Sequence, residues 1–495
     1  MTERNSKREP ASAQPPLEPE PPKLGEPTAV AAGPKAVMIS IQHALRQMGA
    51  GRSVHALSRV NQTDGFDCMG CAWPDPEQRK AAEFCENGAK AVAEEATTSR
   101  VDRRFFSRFS VQELAEHSDH WLGRQGRLTE PMLLRPGSSH YEPIGWTDAF
   151  RVIANHLHAL ETPDEACFYT SGRASNEAAF VYQLFARAFG TNNLPDCSNL
   201  CHESSGVALN ETIGSGKGTV TLEDFEHADC ILMIGQNPGT NHPRMLSTLQ
   251  DAARRGCAII TVNPLAEAGN TAFRDPQEVA GWAGAGTQFH AQHLRVRING
   301  DVALLKGLAK TVLAEDRARP GEVLDRAFIE AYCDGFDAFV DGIDATEWSH
   351  IVASSGVPRD AIERAGRRIA RSERVIACWA MGVTQHDNAV ANIQEIVNLL
   401  LLGGHLGRPG AGACPVRGHS NVQGDRTMGI WERPSEDFLD ALAAEFDFAP
   451  PRAHGFDAVA AIRAMHDGRA RVLIALGGNL LSAASDTEFT ADALR

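Results

Sequence analysis

The strongest constraint on this chain is a set of short apolar runs, each too short for a globular helix, separated by segments with helical spacing. Asp229–Ile234 (DCILMI), Cys257–Val262 (CAIITV), Leu294–Ile298 (LRVRI), Arg374–Trp379 (RVIACW) and Arg471–Ala475 read as strands. Asn176–Phe189, Leu246–Arg255 and about Val302–Leu313 read as helices, and Gly190 is placed to stop the first of them. Strands alternating with helices imply parallel βαβ units and an α/β class. Several of the runs end in Gly, Asn or Pro, as in Gly235-Gln236-Asn237-Pro238 and Asn263-Pro264. Turns need such residues for their own geometry. In open parallel sheets, however, ligands bind at the carboxyl ends of strands, so these turns are the first place to look for a site.

Hydrophobic residues make up 43% of the 495 and charged residues 22%, which excludes a wholly disordered or fibrous chain. The net charge of -15 argues against a nucleic-acid partner, which needs a basic field to meet phosphates. No run reaches the roughly 18 apolar residues of a membrane helix; the best, Ile396–Leu402, is interrupted by Asn398. The N-terminus lacks the apolar core of a signal peptide, and Arg103-Arg104 lies too deep for a twin-arginine signal, so a cytoplasmic chain is expected. Eleven cysteines in this length fit a reducing compartment, with a few thiols kept for metal or redox work.

Residues 1–35, rich in Pro, Glu, Lys and Ala, are expected to form a disordered tail. The run GSGKGT at Gly214–Thr219 is not a phosphate loop, because Gly218 separates Lys217 from Thr219; it reads as a flexible loop. No Gly-x-Gly-x-x-Gly follows a strand, so a standard dinucleotide site is not signalled. Cys68 and Cys71 form a CxxC and Cys85 lies fourteen residues further on. Thiolates so spaced can hold one metal centre, since the turn's N–H groups support the sulfurs. Buried thiols without metal are the plainer alternative. A zinc site lacks a fourth Cys or nearby His, whereas Asp75 stands where an oxygen ligand of an iron–sulfur group could sit.

The segment Thr170–Leu209, TSGRASNEAAFVYQLFARAFGTNNLPDCSNLCHESSGVAL, resembles the formate dehydrogenase-like branch of the molybdopterin oxidoreductases, the dimethyl sulfoxide reductase superfamily. The likeness continues in IGQNPGTNHP (Ile234–Pro243), VNP (Val262–Pro264), MGVTQH (Met381–His386), GGHLGRPGAGACPVRGHSNVQG (Gly403–Gly424), LGGN (Leu476–Asn479) and the N-terminal FDCMGC (Phe66–Cys71). It spans about residues 40–495. The resemblance implies a multi-domain α/β architecture with Rossmann-like parallel sheets: an iron–sulfur domain over 36–115, a discontinuous α/β domain over 116–198 and 419–495, and a second one over 199–418. Family members end in a β-rich domain covering the cofactor. That domain is expected to be missing here, the chain being truncated.

The resemblance also implies cofactors: molybdenum bis(molybdopterin guanine dinucleotide) and a 4Fe-4S cluster. Cys201 stands at the position of the molybdenum ligand, a soft thiolate suited to that metal; Cys197 is the rival. His202 follows it and is expected to accept or relay a proton near neutral pH. Arg417 matches an arginine that faces substrate, its fork suiting a small oxyanion, with a structural salt bridge as the alternative. His419 stands where formate dehydrogenases usually have Gln, which puts formate itself in question. Gly235, Asn237, Asn263, Met381, Gly382, Gln385 and Arg173 are expected to contact the cofactor, and Asp301 to read the guanine or cap the helix that follows. Lys90 is expected between cluster and pterin, and Cys68, Cys71, Asp75 and Cys85 to hold the cluster. The function so implied is a two-electron oxidoreductase acting on a small anionic substrate and passing electrons to an unknown partner. Its rival is a cofactor-binding or partner protein that has lost catalysis. A zinc-ribbon scaffold on an unrelated α/β core is a remote third.

Overall fold

A computed structural model gives the fold of residues 25–26, 28–284 and 286–495. Residues 1–24, most of the expected tail, lie outside the described residues. The end of that stretch is regular structure: Ala31–Ala32 pair in parallel with Phe273 and Arg274, and a helix begins at Pro34. Proline at the first helical position has no N–H to lose and a φ already suited to the helix.

The described chain divides into two compact units, one of residues 26–93 and 201–420, the other of residues 94–200 and 421–495. The first is built on a five-stranded sheet whose strands, in chain order, are β1 (Cys230–Ile234), β2 (Ala258–Val262), β3 (Gln292–Leu294), β4 (Val375–Trp379) and β5 (Gly412–Pro415). Their spatial order is β3-β2-β1-β4-β5 and every pairing is parallel. The central strand β1 is buried along its whole length because helices cover both faces. Its side chains alternate between two cores. Cys230, Leu232 and Ile234 pack with Leu304 and Leu308 of α3 (Asp301–Ala318) and with Ile393 and Ile396 of α5 (Ala389–Leu402). Ile231 and Met233 face Met245, Leu246 and Leu249 of α2 (Met245–Arg254). Two further helices of this unit matter below: α1 (Glu203–Ile213) and the single turn α4 (Met381–Thr384).

The strand expected over Leu294–Ile298 ends at Leu294. Beyond it the Arg297 N–H bonds to the Ser355 carbonyl rather than to β2, and Asn299 turns the chain with φ +63° into α3. The order β3-β2-β1-β4-β5 reverses direction between β1 and β4. Connections leave to one side of the sheet before that point and to the other after it, which opens a crevice beyond the strands' carboxyl ends.

The second unit carries a parallel pair, Ala166–Thr170 with Val472–Leu476, in register from end to end. The helix Asn176–Phe189 packs on it, capped by Ser175, whose hydroxyl accepts from the Ala178 N–H at 3.2 Å, and stopped by Gly190 at φ +115°. Arg187 is wholly buried there. Its guanidinium donates to Gln183 and Asn192 and to the carbonyls of Gly429 and Trp431, which fastens the two separated stretches of this unit together.

Candidate active site

At the point of reversal, two glycine backbones touch. Gly235 follows β1 with φ +59°, and Gly382 follows β4. The Gly382 N–H donates to the Gly235 carbonyl at 3.1 Å. A Cβ on Gly382 would lie 2.6 Å from Gly235 Cα, and one on Gly235 2.7 Å from the Gly382 carbonyl carbon. Only glycine fits either position, and the main chain is thereby bared at the crevice. Asn263, after β2, donates to the Gln236 carbonyl at 3.1 Å, and Asn237 caps the turn Pro238–Asn241 by accepting from the Thr240 N–H. Asp301 is buried at the first turn of α3, and the cap position belongs to Gly300, so Asp301 is not the helix cap. Its carboxylate lies 3.8 Å from His386, at the end of the 381–386 turn, and burial raises its pKa to about 6. Met381 stands half-exposed at the start of that turn.

Cys201 is buried, and its carbonyl is gripped from the same turn: the Thr384 hydroxyl donates at 2.7 Å and the Gln385 amide at 3.1 Å. His202 begins α1 and is almost inaccessible. Its Nδ1 meets the Ser205 hydroxyl at 2.9 Å, and that hydroxyl accepts from the indole N–H of Trp379 at 3.0 Å. An indole can only donate, which leaves the Ser205 proton free for the imidazole. Burial, with Arg417 and His242 nearby, pushes His202 down to about 3. A buried imidazolium beside a guanidinium is disfavoured twice, which favours the neutral ring in this setting.

Arg417 is buried two residues after β5. Its guanidinium donates to the His202 carbonyl at 3.3 Å and the Gly216 carbonyl at 3.2 Å, while its own carbonyl meets His242 Nε2 at 2.7 Å. The fork thus ties the Cys201–His202 corner to the loop at 214–219. That loop, read from sequence as flexible, is pinned along β5 by the bond from the Thr219 N–H to the Ala413 carbonyl and from the Ala413 N–H to the Thr219 hydroxyl. His419 sits half-buried two residues beyond Arg417. The structure therefore brings Cys201, His202, Arg417, Met381, Gly382, Gln385, Gly235 and Asp301 to one edge of one unit. Ser205, His242, Gly216 and Thr384, which support them, lie within the motifs read above but were not singled out, because nothing in those motifs shows which side chain or carbonyl each would meet. Arg173 is exposed and Cys197 buried in the other unit, where the Cys197 sulfur accepts from the Gly172 N–H at 3.0 Å.

The thiols of Cys68 and Cys85 meet at Gly88, and Cys71 is near enough to both to act on them electrostatically. A Cβ on Gly88 would lie 2.9 Å from the Cys68 sulfur and 3.8 Å from that of Cys85. The Gly70 N–H points at Cys68 Sγ (3.3 Å) and the Gly88 N–H at Cys85 Sγ (3.4 Å). Burial, offset in part by these bonds, pushes the Cys85 thiol up to about 11, and the neighbouring sulfurs add to the rise. Among the described residues no three His, Cys, Asp or Glu side chains converge tightly enough for a single metal ion. Asp75 does not join the thiols freely. Arg244 holds its carboxylate at 2.7 Å and Arg79 at 3.1 Å. Lys90, one turn past Cys85, is paired with Glu86 at 2.5 Å.

The family model "Molybdopterin oxidoreductase" matches residues 127–495. An uncharacterized oxidoreductase of Mycobacterium tuberculosis is 56% identical over 94% of this chain and 60% of its own length. Protein YdeP of Escherichia coli is 46% identical over 93% of this chain and 62% of its own. A more distant relative from Staphylococcus aureus, named "Putative formate dehydrogenase", is 29% identical over 71% of this chain and 34% of its own. Among solved structures, acetylene hydratase from Pelobacter acetylenicus superposes with a TM-score of 0.53 at 18% identity, covering 72% of this chain and 50% of that one, a likeness of fold alone. The chain spans about 60% of the length of the first two curated relatives. Among the described residues no helix is long and apolar enough to cross a membrane. With the family model covering three quarters of the chain and the glycine contact seated at the sheet's reversal point, this chain belongs to the molybdopterin oxidoreductase family.

Proposed function

We propose that this chain forms the cofactor-binding body of a molybdenum-dependent, formate dehydrogenase-like oxidoreductase acting on a small anionic substrate. The single observation that carries the reading is the placement of Cys201 at the crevice, its carbonyl held by Thr384 and Gln385 from the turn after β4 and the adjoining His202 carbonyl held by Arg417. In this reading the Cys201 thiolate ligates molybdenum, and the bared backbone at Gly235 and Gly382, with Asn237 and Asn263, receives the pyrophosphate of a pterin guanine dinucleotide. Asp301, buried at the same edge, accepts from guanine N–H groups, which requires its charged form above a pKa of about 6. Cys68, Cys71 and Cys85 hold a 4Fe-4S cluster. The molybdenum group, when bound, supplies the two-electron redox chemistry.

The chain's own residues do the rest. Neutral His202, bonded to Ser205, offers a fixed dipole rather than a charge beside the sulfur. Arg417 keeps its positive charge at any working pH and draws an anion toward the corner it ties together. The separation of an iron–sulfur domain (36–115) from two α/β domains, and a cytoplasmic setting, belong to the same reading. A catalytically inactive cofactor-binding or partner protein is the second reading, favoured by Asp75: a carboxylate engaged by two guanidinium groups is a poor fourth cluster ligand. Metal analysis of the anaerobically purified chain tests both. Molybdenum and iron together, with molybdenum lost in Cys201→Ser and kept in Cys197→Ser, is the expected result. Molybdenum retained in Cys201→Ser overturns the ligand assignment, and absence of both metals supports the second reading.

A further inference from the structure

The same unit holds a partly open cavity of about 800 Å³ whose lining shares with the crevice only Gly239 and Thr240 of the Pro238–Asn241 turn. Its size is that of a small-molecule site. The helix Pro34–Leu57, the loop at 73–87 and residues of α2 form part of its walls. The lining is mixed and includes five aromatic rings, Trp73, Phe84, Phe225, Phe273 and Trp282, with Trp73 edge-on to Phe225 at 5.6 Å between centroids. Cys85 lines the same space.

The charges on the wall select the ligand's polarity. Five acids (Glu83, Glu86, Glu226, Asp251 and Asp275) face three bases. Arg244 is engaged by Asp75 and Glu83, and Arg255 by the Phe225 carbonyl. An anion would meet surplus negative charge, while Glu83, Glu86 and Asp275 already hold Arg244, Lys90 and Lys80 and leave a cation little to pair with, so a neutral ligand is favoured. Lys80, half-exposed and 3.5 Å from Asp275, has three N–H donors, of which that carboxylate takes one. A flat ring with carbonyl acceptors matches both the aromatic walls and that remaining donor.

We propose that this cavity binds a neutral ring of the quinone class, with Lys80 donating to a ring carbonyl and Trp282 covering the mouth. Binding stands on the cavity alone. Only its meaning as an electron exit, through the wall that Cys85 shares with the thiol group, rests on the iron–sulfur reading above.

The test is titration of the purified chain with tetramethyl-1,4-benzoquinone, whose ring has no open position for thiol addition, followed by tryptophan fluorescence. Saturable quenching is expected, weakened at least about tenfold in Ser247→Phe, which fills the cavity from α2, and in Trp282→Ala and Lys80→Met. Circular dichroism checks that each variant is folded; if Ser247→Phe is not, the exposed positions Trp282 and Lys80 decide. Absence of saturable quenching, or wild-type affinity in the folded variants, overturns the site. Equal affinity for tetramethylbenzene overturns the quinone assignment. A wild-type chain that holds no iron yet binds the quinone overturns the iron–sulfur reading and leaves this one standing.

Discussion

The crevice and the thiol loop both present cysteine sulfur, but they are built by different forces. At the crevice the positions follow from sheet register: Ile234 pairs with Trp379 on one side and Val262 on the other, so the turns after β1, β2 and β4 emerge at one level. Residues 58–85, by contrast, carry no helix or strand beyond an isolated bridge between Val60 and Phe66. Their frame is a set of side chains, chiefly Arg244. It reaches from the start of α2 to the carbonyls of Trp73 and Pro74 and to the carboxylates of Asp75 and Glu83. A backbone frame tolerates no added atom, whereas a side-chain frame yields locally.

Glycine substitutions expose that contrast most sharply. Gly382→Ala puts a methyl 2.6 Å from the Gly235 backbone, and two hydrogen-bonded strands cannot both withdraw. We expect a loss of about 3 kcal/mol or more in urea unfolding, with the whole sheet affected. Gly88→Ala meets the Cys68 sulfur at 2.9 Å, the end of a side chain that can rotate, and should cost about 1 kcal/mol. Equal losses from the two would refute the distinction.

Next in size is Arg244→Ala. It leaves Asp75 and Glu83 without their guanidinium and frees two carbonyls. Removing one partner of a partly buried pair costs roughly 3 kcal/mol, less where water screens it. The loss should appear as rapid proteolysis confined to residues 58–85, with the sheet's hydrogen-exchange protection unchanged. Protection lost across β1 and β4 would show that the clamp supports the sheet as well.

These two frames also differ in how far the sequence reveals them. The apolar runs predict β1, β2 and β4 to within a residue, because burial on both faces leaves little room for any other pattern. The placement of Gly235 and Gly382 then follows from where strands end, whereas Cys201 sits at the end of the helical turn Ser198–Cys201. The strand at Leu294–Ile298 was over-read by four residues, since alternation alone cannot show that Arg297 bonds to Ser355. The 214–219 loop looked free because glycine-rich composition reports backbone permissiveness, not the partner that removes it. Arg244 gave no signal: an arginine at a helix start is ordinary, and its four partners lie some 160 residues or more away.

Acidity separates the regions further. Burial raises Asp301 at the crevice to about 6, above the roughly 3.9 of an unfolded carboxylate. A raised carboxyl stabilises the fold fully below its unfolded pKa, and that contribution fades as pH climbs through the folded one. Unfolding free energy should therefore fall between about pH 4 and 6, by up to ~1.4 kcal/mol per unit, and level off above. Asp301→Asn should remove this slope. Asp75 is also raised by burial, but Arg244 and Arg79 oppose the shift, so the loop should contribute less to the slope. A slope unchanged in Asp301→Asn would place the titration elsewhere.

The smallest effect is expected at Lys90, and it is informative because it is small. Lys90 and Glu86 are one helical turn apart and partly exposed, an arrangement that gives an isolated helix only a few tenths of a kcal/mol. Lys90→Met keeps the aliphatic stem and removes the charge, so the urea midpoint should hardly move. The electrostatic consequence is separate. If the thiols carry a cluster, removing a cation one turn from Cys85 favours its more positive, oxidised form, and the reduction potential should fall, most at low ionic strength where screening is weakest. Stability unchanged with a lowered potential would make Lys90 a charge that tunes the thiol region without building it. An unmoved potential would leave it an ordinary surface pair, and Arg244 as the chief charge in the frame of that loop.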